Sequence, residues 1–593
     1  MKNFLTTALG AFVGTLVAMF LATIIMTIMS IMMFAMSAIA FGSGSKDNVS
    51  IDKNSVLLVN LEGGFNDCED AGNVFLALMG ETEGETATYD QLVKALDVAA
   101  ENENIVGVVL KANGLVCGTA KAYEVHEALA NFKAKTDKWV YAYGDNYTQG
   151  EYYLASVADS VFVNTQGMVN LFGLSTELPY FKKLLDKVGV KAEIFKVGTF
   201  KSAVEPYMLE HISDANRLQT EQYLNSIWKR IATGISEGRG VKVADVDAWV
   251  DSIVPLQPTD FLIDNKIVDR KLYEFEFEDV LRRTLLLDDD TDINFVSVAD
   301  AATLFTEPDN TDGDIAVIYA QGEINSSADD NAINYNDINE YILDAAEDDD
   351  IKGLVFRVNS PGGSAFDSEQ MWAAIEKFKA TGKPVAVSMG DYAASGGYYI
   401  SCGANRIFAE PTTLTGSIGI FGMMFNMSTL SKNIGVNFES ISTHEIGKLS
   451  AFNDMPATVR NRFQQMVNNG YELFTGRCAA GRNMPIDSIK SIAEGRVWDG
   501  ETALKLGLVD EIGDIKAAIS YVANSLDIAD DYNVVVMPEP VDFFTQFMND
   551  YMQEAGARLF SPEFDVVIDA RKQIERLVNS DRMQARFNCT VKL

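Results

Sequence analysis

The sequence is poor in the residues that several large classes of enzyme require. It contains 3 histidines and no HExxH or other histidine cluster, which argues against a metal-dependent mechanism and leaves a Ser-His-Asp triad poorly supplied. The 5 cysteines are scattered, odd in number and without a CxxC pair. They therefore predict neither a disulfide framework nor a metal site. No metal or other cofactor is expected.

Basic residues are also scarce relative to acidic ones. The chain carries 48 Lys and Arg against 84 Asp and Glu, a formal net charge of −36 at pH 7. A nucleic-acid surface needs a basic stripe or patch, so no nucleic-acid partner is expected. The 593 residues, 47% of them hydrophobic, are enough for two or more folded units with their own cores.

Charge is absent from a long stretch near the N-terminus, residues 9–41. A membrane-spanning helix needs about 20 apolar residues, so we predict a transmembrane anchor and linker over residues 1–45, with lipid as its partner. A cleaved signal peptide is the alternative, because residues 38–40, AIA, resemble a cleavage site. Its apolar core would exceed the usual length of about 7–15 residues. Lys2 and the terminal amine favour a cytoplasmic N-terminus, which places the acidic body on the outer, periplasmic side.

The rest of the chain contains a long internal repeat. The sequence AAENENI at residues 99–105 recurs as AAEDDDI at residues 345–351, and the same register aligns Gly-Asp at 144–145 with Gly-Asp at 390–391. A period of this length indicates duplicated domains rather than short solenoid repeats.

The domain organisation follows from this register and from the alternation of predicted strands and helices, which is typical of α/β proteins. The predicted segments after the anchor are a first α/β domain over residues 46–287, an acidic linker over residues 288–313, a second α/β domain over residues 314–539, and a helical C-terminal segment over residues 540–593.

The segment GDYAASGGYY at residues 390–399 contains the candidate nucleophile, Ser395. An apolar run precedes it and helix-compatible residues follow, so we predict a strand, a sharp turn and a helix that starts near Ser395. Small neighbours leave the hydroxyl accessible, and the Gly396 N–H at the helix N-terminus is suited to hold an oxyanion. A glycine-rich turn that only packs a helix on a sheet is the alternative.

A second glycine turn lies upstream. The sequence NSPGGS at residues 359–364 follows a predicted buried strand. Two glycines after a proline let backbone N–H groups approach a ligand closely, so Gly362 or Gly363 is predicted to supply the other oxyanion donor. Asn359 and Asp391 are predicted to brace turns through bonds from side chain to backbone.

Together these motifs resemble the Clp protease and crotonase group, and more closely signal peptide peptidase A of the long, membrane-anchored type. The resemblance covers roughly residues 50–540 and depends on RVNSPGG at 357–363, ASGGY at 394–398, LTGSIG at 414–419 and GRVW at 495–498. It implies two tandem crotonase-like domains and a serine endopeptidase of the bacterial inner membrane. Its substrates would be signal-peptide remnants and similar small or apolar peptides, and its assembly a ring-like homotetramer.

The repeat register divides the predicted catalytic residues between the two domains. Ser395 aligns with Gln149, whereas Lys201 aligns with Ser450, so each domain has what the other lacks. A desolvated lysine can act as the base of a serine nucleophile when its pKa falls towards neutrality. The resemblance implies the same role for Lys201, within VGTFKSAVEP at 197–206, where Phe200 replaces the family's tyrosine.

Several alternatives remain open. Lys201 is an ordinary surface lysine in the simplest interpretation, and Lys448 becomes the base if the register slips by two residues. The resemblance implies that Ser417 orients the lysine, although a plain turn serine is the alternative. The rival functions are an acyl-CoA-handling crotonase enzyme and a catalytically inactive membrane scaffold. The sequence leaves open whether Ser395 and Lys201 meet within one chain or between chains.

Overall fold

The computed structural model describes residues 51–67, 87–306, 314–326, 332–529, 531–538 and 584–586. The predicted anchor over residues 1–45 and most of the predicted C-terminal segment lie outside these ranges. Within them, no helix combines the length and the apolar character needed to cross a bilayer. We call residues 51–306 the first half and residues 314–538 the second half.

The first half alternates strands with helices. Its strands are β1 (Ser55–Gly63), β2 (Ile105–Leu115), β3 (Trp139–Tyr147), β4 (Ser160–Val169), β5 (Lys191–Lys196), β6 (Arg270–Lys271) and β7 (Phe295–Ser297). Its helices are α1 (Tyr89–Glu101), α2 (Thr119–Lys135), α3 (Gln149–Ala155), α4 (Lys182–Val188), α5 (Glu205–Met208), α6 (Asp214–Arg239), α7 (Val243–Asp251), α8 (Thr259–Asp264), α9 (Glu274–Thr284) and α10 (Val298–Ala302). All the strands except β5 form one six-stranded parallel sheet, in the order β6-β4-β3-β2-β1-β7.

The second half repeats this order of elements. Its strands are β8 (Asp314–Gln321), β9 (Ile351–Ser360), β10 (Gly362–Ser364), β11 (Val385–Ala394), β12 (Arg406–Ala409), β13 (Leu414–Gly416), β14 (Phe421–Asn426), β15 (Val497–Asp499), β16 (Glu511–Ile512) and β17 (Asn533–Met537). Its helices are α11 (Tyr335–Glu347), α12 (Ala365–Lys379), α13 (Gly396–Ser401), α14 (Ser428–Asn433), α15 (Ala457–Gly481), α16 (Ile486–Ile492), α17 (Gly500–Leu506) and α18 (Ile515–Ser525). Eight of these strands form a mixed sheet in which only β13 and β15 pair antiparallel. The predicted α/β architecture is confirmed.

The repeat extends to the packing of the sheets. Helix α9 covers the first sheet, where Phe277 and Leu281 pack with Val109 of β2. Helix α18 covers the second sheet in the same way, and its Val522 packs with Val355 of β9. Parallel strands that are covered on both faces are buried along nearly their whole length, as β9 and β11 are. The repeated sequence therefore corresponds to a repeated order of elements with equivalent packing.

A small antiparallel sheet joins the two halves. Strand β5 of the first half pairs with β14 of the second along its whole length, from Lys196 opposite Phe421 to Lys191 opposite Asn426. The full order is β10-β18-β14-β5, where β18 is Gln584–Arg586. The predicted helix over residues 540–593 is therefore wrong at these three residues. They form a strand because the edges of β10 and β14 supply backbone hydrogen-bonding partners. A prediction from helical periodicity does not include such partners. Residues 540–583 and 587–593 of that segment lie outside the described ranges.

A cluster of four buried charges also connects the halves. The Arg357 guanidinium, on β9, donates to Asp67 at 2.9 and 3.0 Å and to Glu124 of α2 at 2.8 Å, and Lys121 of α2 bonds the same two carboxylates. Arg357 also donates to Ser388 Oγ at 2.8 Å. Burial raises the pKa of Asp67, but Arg357 and Lys121 outweigh burial and lower that pKa well below its usual value. At Glu124 burial is the larger effect and raises the pKa of that carboxyl, so two basic and two acidic side chains with opposite pKa shifts on the acids meet in a site closed to water.

Asp391 adds a further link between the halves. Its carboxylate accepts hydrogen bonds from the backbone N–H groups of Ala120 at 2.8 Å and Lys121 at 3.3 Å, in the first turn of α2. A carboxylate is favourable there because it complements the unpaired N–H groups and the positive end of the helix dipole. The prediction that Asp391 bonds backbone is confirmed, but the backbone belongs to the other half rather than to its own turn.

We predict that Arg357→Ala destabilises the protein by about 3–5 kcal/mol, because the substitution leaves Asp67 and Glu124 buried with only Lys121 to balance them. The urea midpoint and the melting temperature of the purified protein measure this effect. Arg406→Ala is the matched control, since Arg406 of β12 pairs with Glu511 in a solvent-exposed ion pair. Its loss should cost no more than about 1 kcal/mol. Equal effects of the two substitutions would contradict the proposed contribution of the buried cluster.

Candidate active site

Ser395 lies in the sharp turn between β11 and α13. It occupies the N-cap position with φ 58° and ψ −112°, a backbone conformation that is rare for any residue but glycine. Its N–H donates to the Gly416 carbonyl at 2.8 Å, and its carbonyl accepts from Tyr399 at 2.9 Å. The hydroxyl makes no capping hydrogen bond to the helix. The predicted strand-turn-helix is confirmed, and it leaves the serine Oγ free for another partner.

The upstream glycine turn lies beside Ser395 because β9 and β11 are parallel neighbours, with Ser360 opposite Ala393. In open α/β sheets, ligands bind at the carboxyl ends of the strands, where this turn and Ser395 both lie. The Gly362 N–H donates to Ser360 Oγ at 3.1 Å. A Cβ added at Gly362 would lie 2.6 Å from the Gly396 nitrogen, so the turn directly adjoins the start of α13. Because Ser360 already accepts the hydrogen bond of the Gly362 N–H, Gly363 is the better candidate of the two glycines for an oxyanion donor.

Lys201 reaches this site from the other half. The segment that follows β5 is held against the second half by backbone hydrogen bonds from Val197 to Ile420 at 3.1 Å and from Phe200 to Glu494 at 2.9 Å. Gln219 of α6 tightens the same region, since its amide donates to the Phe200 carbonyl at 3.1 Å and accepts from the Val497 N–H at 3.2 Å. These contacts fix the backbone that leads into Lys201.

The Lys201 amine lies 2.6 Å from Ser395 Oγ and 3.1 Å from both the hydroxyl and the carbonyl oxygen of Ser417. Lys201 is 1% exposed and Ser395 is fully buried. Burial disfavours the charged amine and lowers the pKa of Lys201 to about 7. Its three hydrogen-bonding partners are neutral oxygen atoms, and within the part of the chain that the structure describes no carboxylate pairs with the amine to restore its charged form. A neutral lysine can then accept the proton of the serine hydroxyl near neutral pH.

Two glycines leave room for the lysine side chain. A Cβ added at Gly495, whose φ is +77°, would lie 2.6 Å from Lys201 Cβ and 2.7 Å from its Cα. A Cβ at Gly419 would lie 3.3 Å from Lys201 Cδ. Both glycines lie in motifs noted above, Gly495 in GRVW and Gly419 in LTGSIG, and this position was the only signal of their role in the sequence. No signal in the sequence pointed to Gln219.

The other candidates are placed away from Ser395. Lys448 is exposed at the end of a 3-10 turn, Glu445–Lys448. His126 is stacked on Tyr153 in the first half, and His444 is exposed and contacts Thr443. Ser395 therefore has a lysine neighbour, and no histidine in the described residues hydrogen-bonds to it.

Comparison with known proteins agrees with this arrangement. A family model described as Peptidase family S49 matches residues 132–259 and 377–529. Protease 4 of Haemophilus influenzae is 33% identical over 523 residues, which cover 86% of this chain and 84% of that protein. The chain belongs to peptidase family S49. The predicted membership of the signal peptide peptidase A group is confirmed, and the chain is a serine peptidase.

Two further relatives of this S49 peptidase extend across most of its length. Protease 4 of Salmonella typhi is 35% identical over 447 residues, 74% of this chain and 72% of that protein. A chloroplastic serine protease SPPA of Arabidopsis thaliana is 31% identical over 448 residues, 74% of this chain and 66% of that protein. The two matched segments of the family model include Lys201 and Ser395 respectively. Neither the acyl-CoA enzyme nor the inactive scaffold is favoured by these similarities.

We predict that Gly495→Ala lowers turnover of an ester substrate by about 100-fold, because the new methyl group displaces the Lys201 backbone and misplaces its amine. Gly435→Ala is the matched control: Gly435 also has a positive φ, of +84°, but an added Cβ would meet nothing within 4 Å. Both variants acquire similar backbone strain, so melting temperatures separate strain from displacement. Full turnover by Gly495→Ala would show that the contact with Lys201 is unimportant.

Proposed function

We propose that this S49 peptidase is a membrane-anchored serine endopeptidase with a Ser-Lys dyad, in which Ser395 is the nucleophile and Lys201 the general base. The observation that carries the proposal is the 2.6 Å contact between the Lys201 amine and Ser395 Oγ in a site closed to water. The two residues are 194 positions apart in the sequence and come from different halves. Such a contact between a buried amine and a strained serine has no evident structural purpose.

The proposed reaction uses these residues in order. Neutral Lys201 takes the proton of Ser395 as Oγ attacks the carbonyl carbon of the scissile peptide bond, and Lys201 returns a proton to the leaving amine. The N–H groups of Gly396 and Gly363 hold the negative oxygen that develops, with Gly362 permitting the close approach. Ser417 orients the lysine through its hydroxyl. Lys201 then takes a proton from a water molecule as the water oxygen attacks the acyl carbon, and it returns that proton to Ser395 Oγ as the ester bond breaks.

The remaining features of the proposal are supported by sequence and similarity. A protein similar to this chain over part of its length carries the name signal peptide peptidase SppA, and signal-peptide remnants with small or apolar side chains at the cleavage site are the proposed substrates. Residues 1–45 would anchor the protein in the bacterial inner membrane, with the two crotonase-like domains, over residues 46–287 and 314–539, on the periplasmic side. A ring-like homotetramer is the proposed assembly.

Three variants test the dyad. We predict that Ser395→Ala and Lys201→Ala each abolish cleavage of denatured casein and labelling by a serine-directed fluorophosphonate. The double variant should be no worse than either single one, since both residues serve one proton-coupled attack. Lys448→Ala, which changes an exposed lysine, is the control and should keep most activity.

The same variants show where the pair meets. Because Lys201 and Ser395 touch within one chain, oligomers assembled from Ser395→Ala and Lys201→Ala chains should recover no activity. Near-native turnover by Lys201→Ala, or fluorophosphonate labelling at a residue other than Ser395, would refute the proposed mechanism.

We predict that kcat/KM rises through an apparent pKa of about 7 and then levels off, because the reaction needs the neutral form of Lys201.

The lowered pKa of Lys201 also affects the stability of the fold. The unfolded lysine keeps its proton up to pH of about 10.4, so the folded state loses a proton relative to the unfolded state between these values. The stability of the native chain should therefore rise with pH across that window relative to Lys201→Met. An activity profile that rises only near pH 10 would contradict the proposal.

A further inference from the structure

A cavity of about 390 Å³ lies between the two halves, and neither Ser395 nor Lys201 lines it. Helices α1 and α2 of the first half form one wall. The other wall consists of Glu410, which follows β12, and of residues at 512–516, where β16 leads into α18. Apolar side chains cover part of both walls: Val93, Leu96, Phe132 and Ile512. A cavity of this size with a partly apolar lining can hold a small organic molecule.

Glu410 is the lining residue whose environment calls for a ligand. It is 3% exposed, and within the part of the chain that the structure describes its carboxyl group has no hydrogen bond and no ion pair. Only its backbone is bonded: the N–H donates to Thr413 Oγ1 at 3.0 Å, and the carbonyl accepts from the Thr413 N–H at 3.1 Å. A buried polar group without a partner costs free energy, so its presence beside a cavity indicates a bound molecule that pairs with it.

The charges around Glu410 favour a positively charged molecule. Burial raises the pKa of Glu410 well above its usual value, and the carboxyl groups of Glu124 and Asp514 act in the same direction. Arg357 and Lys121 lower that pKa, but both already bond to Glu124. In the empty cavity Glu410 is therefore protonated, and a cation that pairs with it displaces the proton.

The rest of the lining has an excess of negative charge. The Glu124 oxygens are bonded as described, and Asp97 pairs with Lys516 at 3.4 Å. The charged side chains of the lining that remain are three acids against one base: Glu127, Glu410, Asp514 and Lys135. A ligand with two positive charges balances this difference of two charges.

The placement of the acids selects an organic cation over a metal ion. Nowhere in the described ranges are three or more His, Cys, Asp or Glu side chains placed to hold a metal ion. Glu410 and Glu127 nevertheless face the same part of the cavity. Burial raises the pKa of the Tyr123 phenol, which also lines the cavity, and both carboxyl groups act on it in the same direction. Two ammonium groups on one flexible chain can pair with both acids.

We propose that this cavity binds an aliphatic diamine, a chain of methylene groups with an ammonium group at each end. One ammonium group pairs with Glu410 and the other with Glu127, while the methylene groups pack on the apolar side chains of the two walls. Because the walls belong to different halves, the bound diamine joins the halves and stabilises the native chain. This inference does not depend on the proposed peptidase function.

Calorimetric titration of the full-length protein, extracted in detergent, with cadaverine (1,5-diaminopentane) tests the binding. We expect a dissociation constant below about 1 mM. The heat of binding should depend on the ionisation enthalpy of the buffer, because Glu410 releases its proton when the ammonium group binds. The compound 5-amino-1-pentanol, in which a hydroxyl replaces one ammonium group, should bind at least roughly tenfold more weakly. Cadaverine at about 10 mM should raise the melting temperature, whereas the same concentration of magnesium chloride should not.

Three variants assign the binding to the named acids. Glu410→Gln has the shape of the protonated acid, so it should fold normally, bind cadaverine at least roughly tenfold more weakly and release no proton. Glu127→Gln changes a side chain that is 45% exposed, so it should leave the fold intact and weaken binding by a smaller factor. Glu472→Gln is the matched control, because Glu472 pairs with Lys490 in an exposed ion pair outside the cavity. It should bind cadaverine as the native chain does.

Each contrary outcome overturns a defined part of the proposal. Absence of binding at about 10 mM cadaverine, or equal binding of the amino alcohol, overturns the diamine site. Equal stabilisation by magnesium chloride shows a general cation effect in its place. Native affinity in Glu410→Gln, or binding without proton release, overturns the assignment of Glu410, and native affinity in Glu127→Gln overturns the position of the second ammonium group.

Discussion

The burial of one lysine amine is the constraint on which the rest of the structure depends. In the proposed mechanism Lys201 acts as a base only in its neutral form, and its pKa falls to about 7 because the amine is buried away from water. Excluding water requires walls on all sides. The second half supplies Ser395, Ser417 and the glycine segments around 419 and 495, and the first half supplies the backbone that carries the lysine. Neither half alone encloses the amine.

A second buried lysine shows that burial alone does not decide the charge. Lys121 is also buried, but it lies between Asp67 and Glu124, and its pKa is raised rather than lowered. Burial lowers that pKa, and the two carboxylates outweigh burial. Arg357 completes the cluster, which joins the halves and keeps the Lys121 amine in its charged form. The two lysines differ in their partners, hydroxyl and carbonyl oxygens in one case and carboxylates in the other.

The small antiparallel sheet connects this electrostatic arrangement to the binding of peptides. Strand β5 leads directly into the Lys201 segment, and β10 contains the glycines next to Ser395. The slot between β10 and β14 therefore places any inserted strand beside Ser395 and Lys201. Main-chain pairing of this kind recognises peptides of many sequences.

The sequence by itself determined the α/β class, the duplication, the strand-turn-helix at Ser395 and the pairing of Ser395 with Lys201 as candidates. These follow from local patterns and from a repeat register that a single sequence contains. Only the tertiary structure decided that the amine lies 2.6 Å from the serine, that Asp391 caps a helix of the other half, and that Gly495 makes room for Lys201. Contacts between residues hundreds of positions apart leave no periodic signal. The three-residue strand β18 is the clearest case, since its conformation is set by the two strand edges beside it rather than by its own side chains.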